Sequence, residues 1–301
     1  MNLRTVFVAA LAALVLTDAA PVSCGGQGGR PRPPQNSNAG VKPTPMPTPA
    51  EVSDMKVLAE GFYGKVEEPF LVVARSREVY AALRSLAEGL PDLGDEFFES
   101  GVVVAGFLGT RNSGGYAVEI TREGGGPVVV SEREPPKGSM TTMALTQPYK
   151  VVSVPLGESR LEVEARGRWA GSLMRPYKVE AGEMEVSGGI AGRTASYGLE
   201  GSLSAARREG LVTLAFDLRG AGAMRERVMK TVASGVVRGG GDFEMTNVDP
   251  GNLVEHPRSP VRVTGKLAGD RLTLDFETQP INIPDSFTGR GRLEAAAQGK
   301  P

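Results

Sequence analysis

The stretch from Gly101 to Ile120 constrains this chain most, because it dictates a strand, a glycine-rich loop and a second strand within twenty residues. Val102 to Leu108 is almost continuously apolar, the pattern of a strand buried on both faces. Tyr116, Val118 and Ile120 alternate with Ala117, Glu119 and Thr121, so this second strand is wet on one face. Between the strands lie Gly109, Thr110, Arg111, Asn112, Ser113, Gly114 and Gly115. The glycines open backbone angles closed to other residues, and Asn112 and Ser113 can bond their own backbone. The loop is no phosphate cradle: it lacks the G-K-[ST] ending, and no helix is expected after it.

The surrounding sequence builds an α+β domain. Met55 to Tyr63 and Phe70 to Ala74 read as strands. Ser76 caps a helix whose stripe is Val79, Leu83, Leu86 and Leu90, with Gly89 and Pro91 ending it. After the glycine loop come strands at Val128 to Arg133 and Tyr149 to Val154, joined by a polar loop from Pro135 to Thr142. One antiparallel sheet with one packed helix is the expected arrangement.

The segment Gly109-Thr-Arg-Asn-Ser-Gly-Gly-Tyr116 resembles the G-x-x-x-T-G-G-Y signature of the PrcB C-terminal domain family, with Ser113 in place of threonine. Asp95-Glu-Phe-Phe98 also fits that family, and Leu145 to Pro155 is similar to the segment that closes its domain. The resemblance covers roughly residues 55–155. The family is named after a lipoprotein subunit of a surface protease complex. It therefore implies a non-catalytic extracytoplasmic protein that binds or stabilises a partner, with a surface or periplasmic protease as the implied partner class. Within the loop Gly109–Tyr116, Arg111 is the residue expected to project as an anchor. A hairpin turn whose glycines serve geometry alone is the competing reading.

The N-terminus gives the address. Arg4, the apolar run Val6 to Leu16 and the small residues Ala19-Ala20 form a secretory signal over residues 1–23, too short a run to span a bilayer. Pro21-Val-Ser-Cys24 is an imperfect lipobox that makes Cys24 the expected lipid-attachment residue and the membrane contact. Cys24 is the only cysteine, so no intramolecular disulfide can form. Residues 24–50 are a tether, glycine-rich and then proline-rich, of extended polyproline II character. The whole chain carries −1, and setting aside the tether cations Arg30, Arg32 and Lys42 leaves a mildly acidic body.

From about residue 156 to 301 the pattern changes to alternating segments broken by turn signals such as Asp249-Pro-Gly251 and Ala268-Gly-Asp270. Strands at this spacing imply an all-β sandwich or barrel. Glu200 to Asp217 and Thr264 to Glu277 read as two similar hairpins, and helical spacing of Met224, Val228 and Val232 suggests a short helix within 221–233. The boundary near 156 is expected to separate independently folding units.

Catalytic chemistry finds little support. The one histidine, His256, sits between Glu255 and Pro257 with no framed nucleophile nearby in sequence. Clustered metal ligands are missing, and no cofactor is implied. Glu96, Glu99, Asp217, Asp242 and Asp275 are scattered acids of the kind found on solvated strands and turns. No basic patch with interleaved aromatics suggests nucleic acid. The expected function is thus that of a surface-tethered, non-enzymatic partner-binding protein. The alternative is an envelope ligand-binding protein that uses a cavity in the C-terminal β domain.

Overall fold

The computed structural model describes residues 55–122, 126–156, 161–188, 193–254, 260–279 and 288–299. The signal, Cys24, the tether and His256 lie outside the described residues.

The N-terminal module begins with β1 (Lys56–Gly61), β2 (Phe70–Ala74), α1 (Arg77–Arg84) and the single turn α2 (Phe97–Ser100). It continues with β3 (Gly101–Phe107), β4 (Ala117–Arg122), β5 (Val128–Arg133) and β6 (Tyr149–Pro155). Ser76 caps α1 as its sequence implies, its hydroxyl accepting from the Val79 N–H at 3.4 Å. Val79, Tyr80 and Leu83 are the buried stripe.

The expected single antiparallel sheet is instead two sheets. β1, β6, β3 and β2 form one antiparallel sheet in that order. β4 and β5 form a second sheet with β7 (Val163–Arg166), which pairs parallel to β5. All seven residues of β3 are buried because it is sandwiched. Val103, Ala105 and Phe107 pack toward α1, while Val102 and Val104 pack toward the second sheet. Gly106 permits the close approach of the sheets: a Cβ there would lie 2.8 Å from Val118 Cγ1 and 2.9 Å from Val130 Cγ1.

The C-terminal module is a closed eight-stranded barrel. Its strands are β8 (Arg175–Gly188), β9 (Arg193–Arg208), β10 (Leu211–Gly220), β11 (Val228–Val237), β12 (Asp242–Val248), β13 (Val261–Ala268), β14 (Arg271–Thr278) and β15 (Thr288–Ala297). Each pairs antiparallel with the next in the chain, and β15 closes onto β8. Of the two expected architectures the barrel is the one formed. Both expected hairpins are present. The first turns through Glu209 and Gly210, at φ +45° and +78°, the left-handed pair of a type I′ turn. The helix expected within 221–233 is not formed; a 3-10 turn at Gly222–Met224 leads into β11.

Leu203, Leu214, Phe216, Met245, Leu274 and Leu293 belong to one buried cluster inside the barrel. The lumen that the alternative ligand-binding reading needs is, at the described positions, packed with side chains. Outward positions on the free side of the barrel carry Lys178, Glu183, Arg262, Lys266, Asp275 and Arg292, all exposed. This apolar-in, charged-out alternation is the reverse of a membrane-spanning barrel.

Both modules fall within one compact unit, Pro49–Pro301. β2 is an edge strand, yet all five of its residues are buried. Barrel hydroxyls satisfy its outer edge. Val73 N–H donates to Ser234 Oγ at 2.9 Å, and Thr213 Oγ1 donates to the Leu71 carbonyl at 2.6 Å. The two hydroxyl oxygens are 2.7 Å apart. Because the Thr213 proton is committed to Leu71, the Ser234 proton completes the chain. Two barrel hydroxyls thereby stand in for a missing strand. Nearby, Arg75 is buried beneath the junction, and desolvation holds its guanidinium below its ordinary pKa against the opposing charge of Asp249.

Candidate partner-binding surface

The Gly109–Tyr116 loop leaves the end of β3 in a conformation fixed by close contacts. Gly109 is buried at φ +73°, and a Cβ there would lie 2.7 Å from the Glu67 carbonyl oxygen and 2.8 Å from Pro69 N. Only glycine fits. Thr110 N–H donates to that same Glu67 carbonyl at 2.8 Å.

The loop then binds the segment joining β5 to β6. Arg111 N–H donates to the Thr146 carbonyl (2.8 Å), and Thr146 N–H returns the bond to the Arg111 carbonyl (3.0 Å). Gly114 N–H donates to the Thr142 carbonyl at 2.9 Å. The Thr146 hydroxyl donates to the Ser113 carbonyl at 3.1 Å. Gly115, at φ +88°, lies against Pro135, whose Cβ would be 2.9 Å from an added Cβ. Thr110, Asn112 and Gly115 are exposed, while Ser113, Gly114 and Tyr116 are half-buried.

Arg111 does not project as an anchor. Its Nε donates to Glu132 Oε1 at 2.8 Å, with side chains only 20% and 7% exposed, and its guanidinium lies 5.7 Å from the centre of the Tyr116 ring. The chemistry that suits arginine to an interface is spent inside the module. Arg111→Ala should therefore destabilise the fold by about 2 kcal/mol, because it strands a buried carboxylate. Thermal unfolding should show a fall of roughly 5 °C for a body of this size. Glu132→Gln in the same chain should recover part of that loss.

What the loop holds up is a surface the sequence did not single out. Met140 and Met143 are fully exposed (101% and 98%), and Leu145 is 68% exposed. Phe62 and Tyr63, also exposed, are joined to the end of the same segment: Gln147 N–H donates to the Phe62 carbonyl at 2.7 Å, and Tyr63 bridges Gln147. The available signal was three large apolar residues in a segment bounded by Pro135-Pro136 and Pro148 with no strand or helix period to bury them.

The scattered acids form no comparable site. Asp242, Glu244 and Asp275 line a shallow groove on the outer barrel face, where Asp242 pairs with Lys266 (3.8 Å) and Glu244 with Arg262 (3.2 Å). Asp217 is exposed beside Arg219, at 3.9 Å, and Glu96 and Glu99 lie at α2.

Among known proteins, no curated protein matches the chain. A crystal structure of a candidate outer membrane protein from Bacteroides fragilis aligns over 79% of this chain and 97% of its own, at 10% identity. Its TM-score of 0.25 does not amount to a shared fold. Residues 102–155, the segment from β3 to β6 that contains the loop and the apolar residues it supports, match the PrcB C-terminal family model.

Proposed function

We propose that the chain is a surface-tethered, non-catalytic lipoprotein of the cell envelope whose PrcB-like module binds or stabilises a partner protein, an envelope protease being the partner class the family implies. The observation that carries this reading is the exposed apolar surface at Met140, Met143 and Leu145, braced on the family's own glycine loop. A rigid scaffold presenting an exposed loop is how binding proteins are commonly built. The non-catalytic role follows from the family resemblance. A charged outer face on the barrel supports attachment through a lipidated Cys24 rather than through the barrel wall.

The test is affinity capture of the full chain from its native envelope through a C-terminal tag. The wild type should fractionate with membranes and recover one extracytoplasmic protein in near-stoichiometric amount. Cys24→Ala should move the protein to the soluble fraction. A wild-type chain that is soluble and recovers no companion would refute the reading.

A further inference from the structure

We propose that Met140, Met143 and Leu145 are the anchors of the interface and that they seat in an uncharged apolar groove of the partner protein. This rests on the partner-binding reading above and specifies its contact.

Three observations carry it. The first is exposure without packing: two of these side chains are open to solvent along essentially their whole surface. The second is concentration. The large apolar residues exposed among those described are Val57, Phe62, Tyr63, Met140, Met143, Leu145 and Val228. Three of these seven, Met140, Met143 and Leu145, fall within six residues of one segment, and the backbone of Phe62 and Tyr63 is joined to Gln147, two residues beyond Leu145. The third is bracing. The Arg111–Thr146 backbone pair, the Gly114–Thr142 bond and the Thr146–Ser113 bond fix the base of the segment at Thr142 and Thr146. Pro135 and Pro136 restrict its entry. A braced loop loses little conformational freedom on docking, which favours a specific protein interface. Methionine side chains adapt to the groove they enter, and apolar anchors held on a rigid base are how few residues carry most of an interface.

Charge selects the occupant. Between residues 134 and 148 the only ionisable side chains are Glu134 and Lys137, so this strip of the chain carries no net charge. An anionic lipid surface draws on clustered lysine and arginine, which this strip lacks. A partner with a charged groove would likewise meet no counter-charge.

The experiment places a photo-crosslinking residue at position 140, at 143 and, as a control on the barrel wall, at 290, each in the full tethered chain in its native envelope. Positions 140 and 143 should label the same protein that affinity capture recovers, and position 290 should not. Met140→Glu combined with Met143→Glu should lower recovery of that protein at least tenfold while leaving the melting temperature unchanged. Adducts from 140 and 143 to lipid alone, or to a second copy of this chain, would overturn the inference. So would recovery of the partner at the wild-type level by the double variant, a result that leaves partner binding standing while removing this contact. Capture that finds no partner at all would remove both.

Discussion

A fragment of residues 51–155 is expected not to unfold cooperatively, although sequence pattern places a boundary at its end. Truncation removes β7, the parallel partner of β5, and with it Leu161, Val163 and Trp169 from the core between the two sheets. It also uncovers β2, since Ala206, Leu211 and Val236 of the barrel pack into the α1 cluster. The Leu71 carbonyl and Val73 N–H would lose Thr213 and Ser234, leaving an apolar edge strand open to association. A folded domain is separated from its unfolded chain by only about 5–15 kcal/mol, so the loss of this many core contacts is expected to remove the cooperative transition. Circular dichroism during heating reads the outcome: a sloping, non-cooperative signal for the fragment against a single transition for residues 51–301. A sharp transition in the fragment would show the barrel contacts to be dispensable.

Gly109→Val is expected to be the most damaging single substitution in the loop, at about 4 kcal/mol. Two costs combine. A β-branched residue is strained at φ +73°, and the new Cβ meets three backbone atoms of Glu67, Glu68 and Pro69 at 2.7–2.8 Å, none of which can rotate away. Gly138 is the natural control. It has a similar φ, +81°, but no atom within 4 Å of an added Cβ, so Gly138→Ala should cost only about 1 kcal/mol. Chemical denaturation of the two variants separates steric conflict from backbone strain, and equal losses would contradict the close-packing argument.

Much of the fold was legible because its signals are local. The unbroken apolar run of β3, the capped stripe of α1 and the two hairpins each follow from period and turn chemistry within a dozen residues. The errors arose where distant parts of the chain decide. β11 lost its alternation because both faces are covered, Met229 by the barrel interior and Val232 by the core of the N-terminal module. With Met224 of the preceding turn at helical spacing from Val228 and Val232, such a two-faced strand resembles a helix in sequence. The parallel pairing of β5 with β7 leaves no mark in either segment alone. At the candidate site, the glycine loop was recognisable and its role was not. The partner of Arg111 lies 21 residues away at Glu132, so its side chain read as available when it is engaged. Met140 passed as part of a polar loop and Met143 fell between that loop and the next strand, since exposure is a property of the folded surface.

Methionine oxidation tests the central claim most directly. Met140 and Met143 are open to solvent, whereas Met184, Met229 and Met245 are buried and serve as references within the same molecule. In purified protein treated briefly with dilute peroxide, mass spectrometry should find the first two converted to sulfoxide and the other three intact. In the native envelope, with the chain tethered and its partner present, Met140 and Met143 should be protected several-fold relative to the purified protein. Equal oxidation of both residues in the two settings would mean that nothing covers this surface, and would contradict the account.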